Sequence, residues 1–275
     1  MTPTDLEQKY RRLQEIIREL ESVAVAFSAG VDSTLLVKVA VDTLGLGKVV
    51  AVTGDSSSLA RSELEESRAL AEEIGVEHVI LTTDELDRED YASNPKNRCY
   101  HCKSVLFARV SRFIAERGLR AAVHGANVDD RGDYRPGAQA AEEHNVRAPL
   151  AEAGLTKADL RILSKQLGLA TSDKPASPCL ASRIPYGERV TRQKLAMIEA
   201  AEAHVRKLGF RECRVRHHSS VARIEVPKDM ISKLTVPDVA ADLDEHFRSL
   251  GFSYVTVDLR GFRSGNLNET ESVSV

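Results

Sequence analysis

Val23-Ala24-Val25-Ala26-Phe27-Ser28-Ala29-Gly30-Val31-Asp32-Ser33-Thr34 is an apolar, β-branched run that breaks at a small, hydroxyl-rich turn and resumes as an amphipathic pattern. The order predicts strand, phosphate loop, helix. Small residues after Phe27 let backbone N–H groups approach an oxyanion, and a helix starting near Asp32 directs its unpaired N–H groups and positive dipole end at the same point. Pyrophosphate suits such a turn. Ser28 and Ser33 add hydroxyl donors, and Asp32 is suited to a magnesium ion that bridges phosphate oxygens. The bland reading is a tight strand-to-helix turn with a capping serine. The Gly-Lys-Ser/Thr of a Walker loop is missing, which disfavours a P-loop kinase or ATPase.

Outward from that turn, apolar runs at 23–27, 49–52, 78–81 and 121–124 alternate with helical patterns at 33–44, 61–74 and 104–117, and a further helix is expected at 157–168. The alternation predicts an α/β fold, a doubly wound parallel sheet whose ligand crevice lies beyond the carboxyl ends of its strands. The loops at 28–33, 53–58 and 125–137 should meet there. A Ser-, Pro- and Arg-rich stretch at 171–192 separates this domain, 1–170, from a smaller α+β domain at 193–275. In the second domain helices are expected at 195–208 and 239–250, and strands at 212–217, 221–226 and 254–259. The polar end, 266–275, is expected to fray.

The 275 residues, 42% of them hydrophobic, suffice for real cores. With 38 basic and 41 acidic residues the net charge is −3, so the chain has no global footprint for nucleic acid. No apolar run approaches the roughly eighteen residues of a membrane span, and the charged start of the chain reads as an amphipathic helix rather than a signal peptide. A cytoplasmic protein is expected.

In such a compartment the four cysteines are better suited to metal or reactive roles than to disulfides. Cys99-Tyr100-His101-Cys102 is a C-x-x-C pair, and Cys179 stands alone in Lys174-Pro175-Ala176-Ser177-Pro178-Cys179. Zinc would need Cys179 and His101, or the remote Cys213, as further ligands. Three thiolates on a [4Fe–4S] cluster would leave one iron open, and metal-free thiol chemistry is the third reading. Cys213 reads as packing. Lys103 can lower a thiolate pKa, reach nucleotide phosphates or be a solvated helix lysine.

These residues together resemble the LarE family of PP-loop sulfur transferases, the nickel-pincer nucleotide enzymes of lactate racemase maturation. The likeness runs nearly end to end. It is carried by Phe27-Ser28-Ala29-Gly30-Val31-Asp32-Ser33, by Asp129-Asp130 and Asp133-Tyr134-Arg135-Pro136-Gly137, and by Cys179 ahead of Ser182-Arg183-Ile184-Pro185-Tyr186-Gly187. Ala222-Arg223-Ile224-Glu225 and Gly261-Phe262-Arg263-Ser264-Gly265 complete it. The PP-loop signature is SGGxDS, and Ala29 replaces its first glycine. A Cβ there makes positive φ costly, so either the turn needs no left-handed residue or the loop is altered.

The resemblance implies that ATP adenylates a carboxylate of pyridinium-3,5-biscarboxylic acid mononucleotide and that a sulfur nucleophile displaces AMP, twice over. It implies Asp32, Ser33 and Cys179 as catalytic, with Ser28, Ala29, Gly30, Lys103 and Gly125 about the nucleotide. Arg214 and Arg216 would bind substrate phosphate, with Arg183, Arg223 and Arg263 as neighbours, and Glu202 and Glu225 would contact metal or substrate. Cys99, Cys102 and Cys179 match the members that hold a [4Fe–4S] cluster carrying the transferable sulfide. ATP, Mg²⁺ and the cluster are the cofactors, a sulfide donor is the partner, and a homo-oligomer is expected. The rival is a [4Fe–4S]-dependent PP-loop tRNA thiolase, which would want a basic surface. An ammonia-using ligase would leave the cysteines idle, and a nucleotide sensor with a zinc staple would release no pyrophosphate.

Overall fold

The computed structural model describes residues 4–132 and 136–263. Asp133-Tyr134-Arg135, Ser264-Gly265 and the tail expected to fray lie outside the described residues. The chain divides into two compact units, Met1–Glu85 with Asn97–Ser177, and Leu86–Lys96 with Pro178–Val275.

The first unit is built on β1 (Val23–Ala26), β2 (Val49–Asp55), β3 (Glu77–Thr82) and β4 (Ala121–His124), all parallel in the order β3-β2-β1-β4. Val23 stands opposite Val49 on one side and Ala121 on the other. Around the sheet run α1 (Asp5–Glu19), α2 (Val31–Leu44), α3 (Arg61–Ile74), α4 (Arg98–Arg117), α5 (Pro136–Glu143) and α6 (Lys157–Gln166). Successive strand residues face opposite ways. Val23, Val25, Val49, Ala51 and Val123 therefore enter a core with Leu13, Ile16 and Ile17 of α1, Leu35 and Leu36 of α2, and Leu160 of α6. Ala24, Val50, Val52 and Ala122 enter a second core with Phe107 and Val110 of α4 and Ala140 of α5. Both faces are covered, as a doubly wound sheet requires, and each fully buried Leu or Ile contributes roughly 1.5–3 kcal/mol.

One boundary differs in a way that bears on chemistry. The helix expected from residue 104 starts at Arg98, so Cys99 and Cys102 lie inside the first turns of α4 rather than in a loop before it. The apolar period starts late, but Arg98 is buried and Tyr100 packs on the second core, and these tertiary contacts carry the helix back over the cysteines.

The second unit is α+β. It holds α7 (Arg192–Lys207), β5 (Arg214–His218), β6 (Val221–Glu225), α8 (Pro237–Ser249) and β7 (Tyr254–Val257). The sheet order is β5-β6-β7, with β5 and β6 antiparallel and β6 and β7 parallel. Val205, Val215, Ile224, Phe247 and Phe252 fill the core, and Cys213 is buried among them.

Candidate active site

The phosphate loop leaves the sheet where β1 ends. Phe27 N–H donates to Val52 O at 2.8 Å, and Thr53 Oγ1 donates to Phe27 O at 2.8 Å, so the strand end is held on two sides before the chain turns. Ser33 Oγ accepts from Ser28 N–H at 3.3 Å and donates to Gly30 O at 3.3 Å. With its single proton spent, Ser33 Oγ must accept the contact of 3.2 Å from Ser28 Oγ. The two serines thus fold the loop onto the start of α2, whose N-cap, Gly30, offers no capping side chain to its N–H groups. Ala29 decides the question its Cβ raised: φ is 55°, so the turn does need a left-handed residue and an alanine supplies it. The strain costs about 1–2 kcal/mol.

A cavity of about 500 Å³ opens over this loop. Ser28, Gly30, Asp32, Ser33, Lys103 and Gly125, each expected from sequence, line it, while Ala29 is fully buried behind it. A Cβ on Gly125 would lie 3.0 Å from Ser33 N and 3.1 Å from Asp32 C, so glycine permits the β4 loop to rest on the helix start. Gly137 does the same for Lys103, whose Cδ lies 2.5 Å from where a Cβ would stand.

Sequence reasoning missed the other cations of the wall: Lys157, Arg161 and Lys174. Lys157 Nζ pairs with one carboxylate oxygen of Asp32, and Asn127 Nδ2 donates to the other at 3.3 Å. Asp129 accepts from Lys157 N–H at 2.7 Å and Asp130 from Asn127 N–H at 3.0 Å, so both aspartates cap loop backbone here. The one local signal for Lys157 is Thr156, a capping threonine at the N-terminus of α6. His124 ends β4 against the cavity. Burial, and then the nearby Lys103, push its imidazole down to about 4, so it is neutral at pH 7.

In the second unit the expected residues form a different arrangement. Arg183 meets Glu202 through two bonds of 2.8 and 3.0 Å, and Arg206 and Val215 N–H add contacts of 2.7 and 3.1 Å. Burial pushes the Glu202 carboxyl up, but Arg183 and its neighbours outweigh it, and the net shift is downward. Arg183 also donates to the carbonyls of Pro178 and Cys179. Arg216 forks onto Glu225 at 3.1 and 2.9 Å and reaches Ser182 O at 2.8 Å. Arg223 bridges Glu225 and Asp258. Arg214 donates to Cys213 O at 2.7 Å and lies over the Phe262 ring at 5.1 Å. Burial lowers its pKa, helped by Arg183. Glu202 and Glu225 are thus guanidinium counterions in this structure.

Cys99 is exposed and Cys102 half-buried, three residues apart on one helix face. Cys102 Sγ lies 4.0 Å from Glu85 Oε1. Cys179 is exposed, whereas Cys213 is buried and its thiol is pushed up to about 11, chiefly by burial. Among the described residues, no three His, Cys, Asp or Glu side chains stand ready as a metal-binding group.

A parallel sheet whose first strand turns through Ser-Ala-Gly-Val-Asp-Ser into a helix defines a PP-loop α/β protein. No family model matches the chain. It is similar to a protein of Synechocystis described as uncharacterized, at 44% identity over 263 residues, 96% of this chain and 98% of the relative. It is 39% identical over 265 residues to the pyridinium-3,5-bisthiocarboxylic acid mononucleotide synthase of Lactiplantibacillus plantarum, covering 96% of this chain and 95% of that one. The tRNA-specific 2-thiouridylase of Azorhizobium caulinodans matches at 27% over 220 residues, 66% of this chain and 56% of its own length. The chain belongs to the LarE family, the enzymes related to the pyridinium-3,5-bisthiocarboxylic acid mononucleotide synthase.

Proposed function

We propose that this enzyme adenylates a carboxylate of pyridinium-3,5-biscarboxylic acid mononucleotide with ATP and converts it to a thiocarboxylate, a step of nickel-pincer nucleotide synthesis. The observation that carries the reading is the cavity over the phosphate loop, where the start of α2, two serines and three lysines face one space. Carboxylate oxygen attacks the α-phosphorus and pyrophosphate leaves; hydrosulfide then attacks the acyl carbon, the bond to AMP breaks, and the thiocarboxylate remains. Each carboxylate is treated once. The loop N–H groups and Ser28 and Ser33 would bind the phosphates, Lys157 and Lys103 would answer charge on the leaving pyrophosphate, and neutral His124 would add no competing charge.

Mg²⁺ fits this site because it is held by one or two carboxylates together with substrate phosphates, and Asp32 lines the cavity with its carboxylate partly exposed. The thiols present also suit a [4Fe–4S] cluster by softness and accessibility: Cys99, Cys102 and Cys179 would hold it, and Cys213, buried and protonated, would not. When bound, the cluster would supply an open iron to which sulfide can bind. Arg214 and Arg216 are assigned to the mononucleotide phosphate as the paired cations of β5, with Arg183 ordering the backbone at Cys179 and Glu202 and Glu225 holding the guanidiniums in register. Homo-oligomerisation and a cytoplasmic setting belong to the same reading; among the described residues no helix is long and apolar enough to cross a membrane. The tRNA-thiolase alternative is less favoured, since the thiouridylase match is weaker and partial.

The test is pyrophosphate and AMP release with the dicarboxylic mononucleotide. Asp32→Ala and Ser33→Ala should each lower it by about 100-fold or more with the fold retained, on the scale of lost transition-state contacts. Unchanged release in both variants refutes the loop assignment, and release stimulated by tRNA in place of the mononucleotide restores the alternative. Mass spectrometry after turnover with added sulfide should find Cys179 intact; loss of H₂S from its side chain would replace the cluster by a sacrificial thiol.

A further inference from the structure

Lys174 stands where three features meet: the phosphate loop, the acidic start of α3, and the backbone that continues to Cys179. Its ammonium donates to Ala29 O at 3.1 Å and lies 3.0 Å from Glu63 Oε2 and 2.7 Å from Glu66 Oε2. Three residues on, Ser177 Oγ donates to the other oxygen of Glu63 at 2.7 Å. Arg161 holds the carbonyls of Ser172 and Lys174 at 2.8 and 3.2 Å. The segment is therefore pinned to the loop through side chains, and Lys174, Ser177 and Glu63 all line the cavity.

One ammonium is shared by two carboxylates, and with the Arg161 guanidinium on the adjoining backbone the corner is close to neutral beside a cavity lined by further lysines. Glu66 is not part of the cavity wall and its side chain is 41% exposed, so its pairing with Lys174 is a weak, screened one. A polyphosphate offers several charged oxygens to the same ammonium, and lysine, a point charge on a four-carbon stem, can exchange one anionic partner for another. Between Lys174 and Cys179 lie four residues, two of them the prolines Pro175 and Pro178, whose fixed φ transmits a displacement rather than absorbing it.

We propose that Lys174 is a phosphate-binding residue that leaves Glu66 for the polyphosphate when nucleotide enters, and so couples nucleotide occupancy to the segment carrying Cys179. This rests on the reading that ATP occupies the cavity. The device makes chemical sense for a two-step reaction, since the sulfur-delivering segment would respond to the nucleotide that activates the carboxylate.

The test is calorimetric binding of magnesium α,β-methylene-ATP, which cannot be cleaved between the α and β phosphates, to the full chain. Lys174→Met should weaken binding by roughly tenfold or more, the scale of a lost charge-assisted contact. Glu66→Gln, a partly exposed change that spares folding, should tighten it by about two- to fivefold by freeing the lysine. That gain should vanish in the Lys174→Met background, because the two residues act through one another. Hydrogen exchange of peptides spanning 174–182 should change on saturation in the wild-type chain and not in Lys174→Met. Affinity of Lys174→Met within about twofold of wild type, or a Glu66→Gln gain that survives without the lysine, overturns the proposal. A wild-type chain that does not bind the analogue removes the nucleotide reading and this coupling together; normal binding without the coupling removes the coupling alone.

Discussion

Two groups of charges in this protein face opposite surroundings. In the first unit Asp32, Lys157, Lys174 and Glu63 border an open cavity, with side chains from 14 to 42% exposed. In the second, Glu202 and Glu225 are fully buried and every carboxylate oxygen meets a guanidinium or a backbone N–H. The difference teaches which pairs can exchange partners. A half-solvated ion pair is worth little and is replaced readily by a better ligand, whereas a buried one cannot lose a partner without stranding a charge in a medium that solvates it poorly. The cavity group is suited to receiving a charged substrate. The buried group is suited to holding Arg183 and Arg216 in fixed positions.

Glu202→Ala should have the largest consequence for the buried group. It removes the shared counterion of Arg183 and Arg206 and the acceptor of Val215 N–H, and it should destabilise the second unit by about 3–5 kcal/mol in urea unfolding. A loss below about 1 kcal/mol, the size of a surface pair, would show that the buried network is no different in kind from the cavity one. Acid should expose the same contrast. Because the Glu202 carboxyl is held below its usual range, its contribution is present at neutral pH and is lost only as pH falls through the folded pKa.

On the cavity side, His124 is the titrating group. Its folded pKa of about 4 lies below the unfolded value of about 6.5, so the unfolded chain binds the proton first. Stability should be flat above pH 6.5 and fall as pH drops toward 4, by at most about 3 kcal/mol from this group. His124→Asn should remove that part of the slope. Equal slopes between pH 7 and 5 for the variant and the wild-type chain would place the imidazole in a wetter setting than its burial against Phe107 indicates.

What the sequence allowed to be read follows from the same physics. β1, the loop and α2 were legible because an apolar run, small residues and a helix start coincide in twelve positions, and the sheet followed from strands recurring between amphipathic helices. The start of α4 was not, because its first turn is held by tertiary contacts of Arg98 and Tyr100 that leave no apolar period. Lys157 and Lys174 were also invisible. A lysine on a polar stretch carries no pattern, and these reach Asp32 and Ala29 from 125 and 145 residues away in sequence. For Glu202 and Glu225 residue type was informative but ambiguous, since a carboxylate that binds a metal and one that binds a guanidinium look the same until the arginines are placed.

At Ala29 the change in stability should be slight. Ala29 holds φ of 55°, a conformation glycine adopts without strain. Ala29→Gly should relieve about 1–2 kcal/mol of backbone strain and give back about 0.5–1 kcal/mol through the greater freedom of the unfolded chain. The alanine methyl is fully buried, so a further fraction of a kcal/mol of packing is lost with it. The net gain is therefore under about 1 kcal/mol, read as a small rise in the unfolding midpoint with an unchanged denaturant slope. The loop N–H groups keep their directions in this variant, because glycine accepts the same φ, and nucleotide affinity should stay within about twofold of wild type. A clear loss of affinity would mean that the alanine does more than fill a left-handed position. The cavity group would then depend on a packed, strained loop in the way the buried group depends on its paired charges.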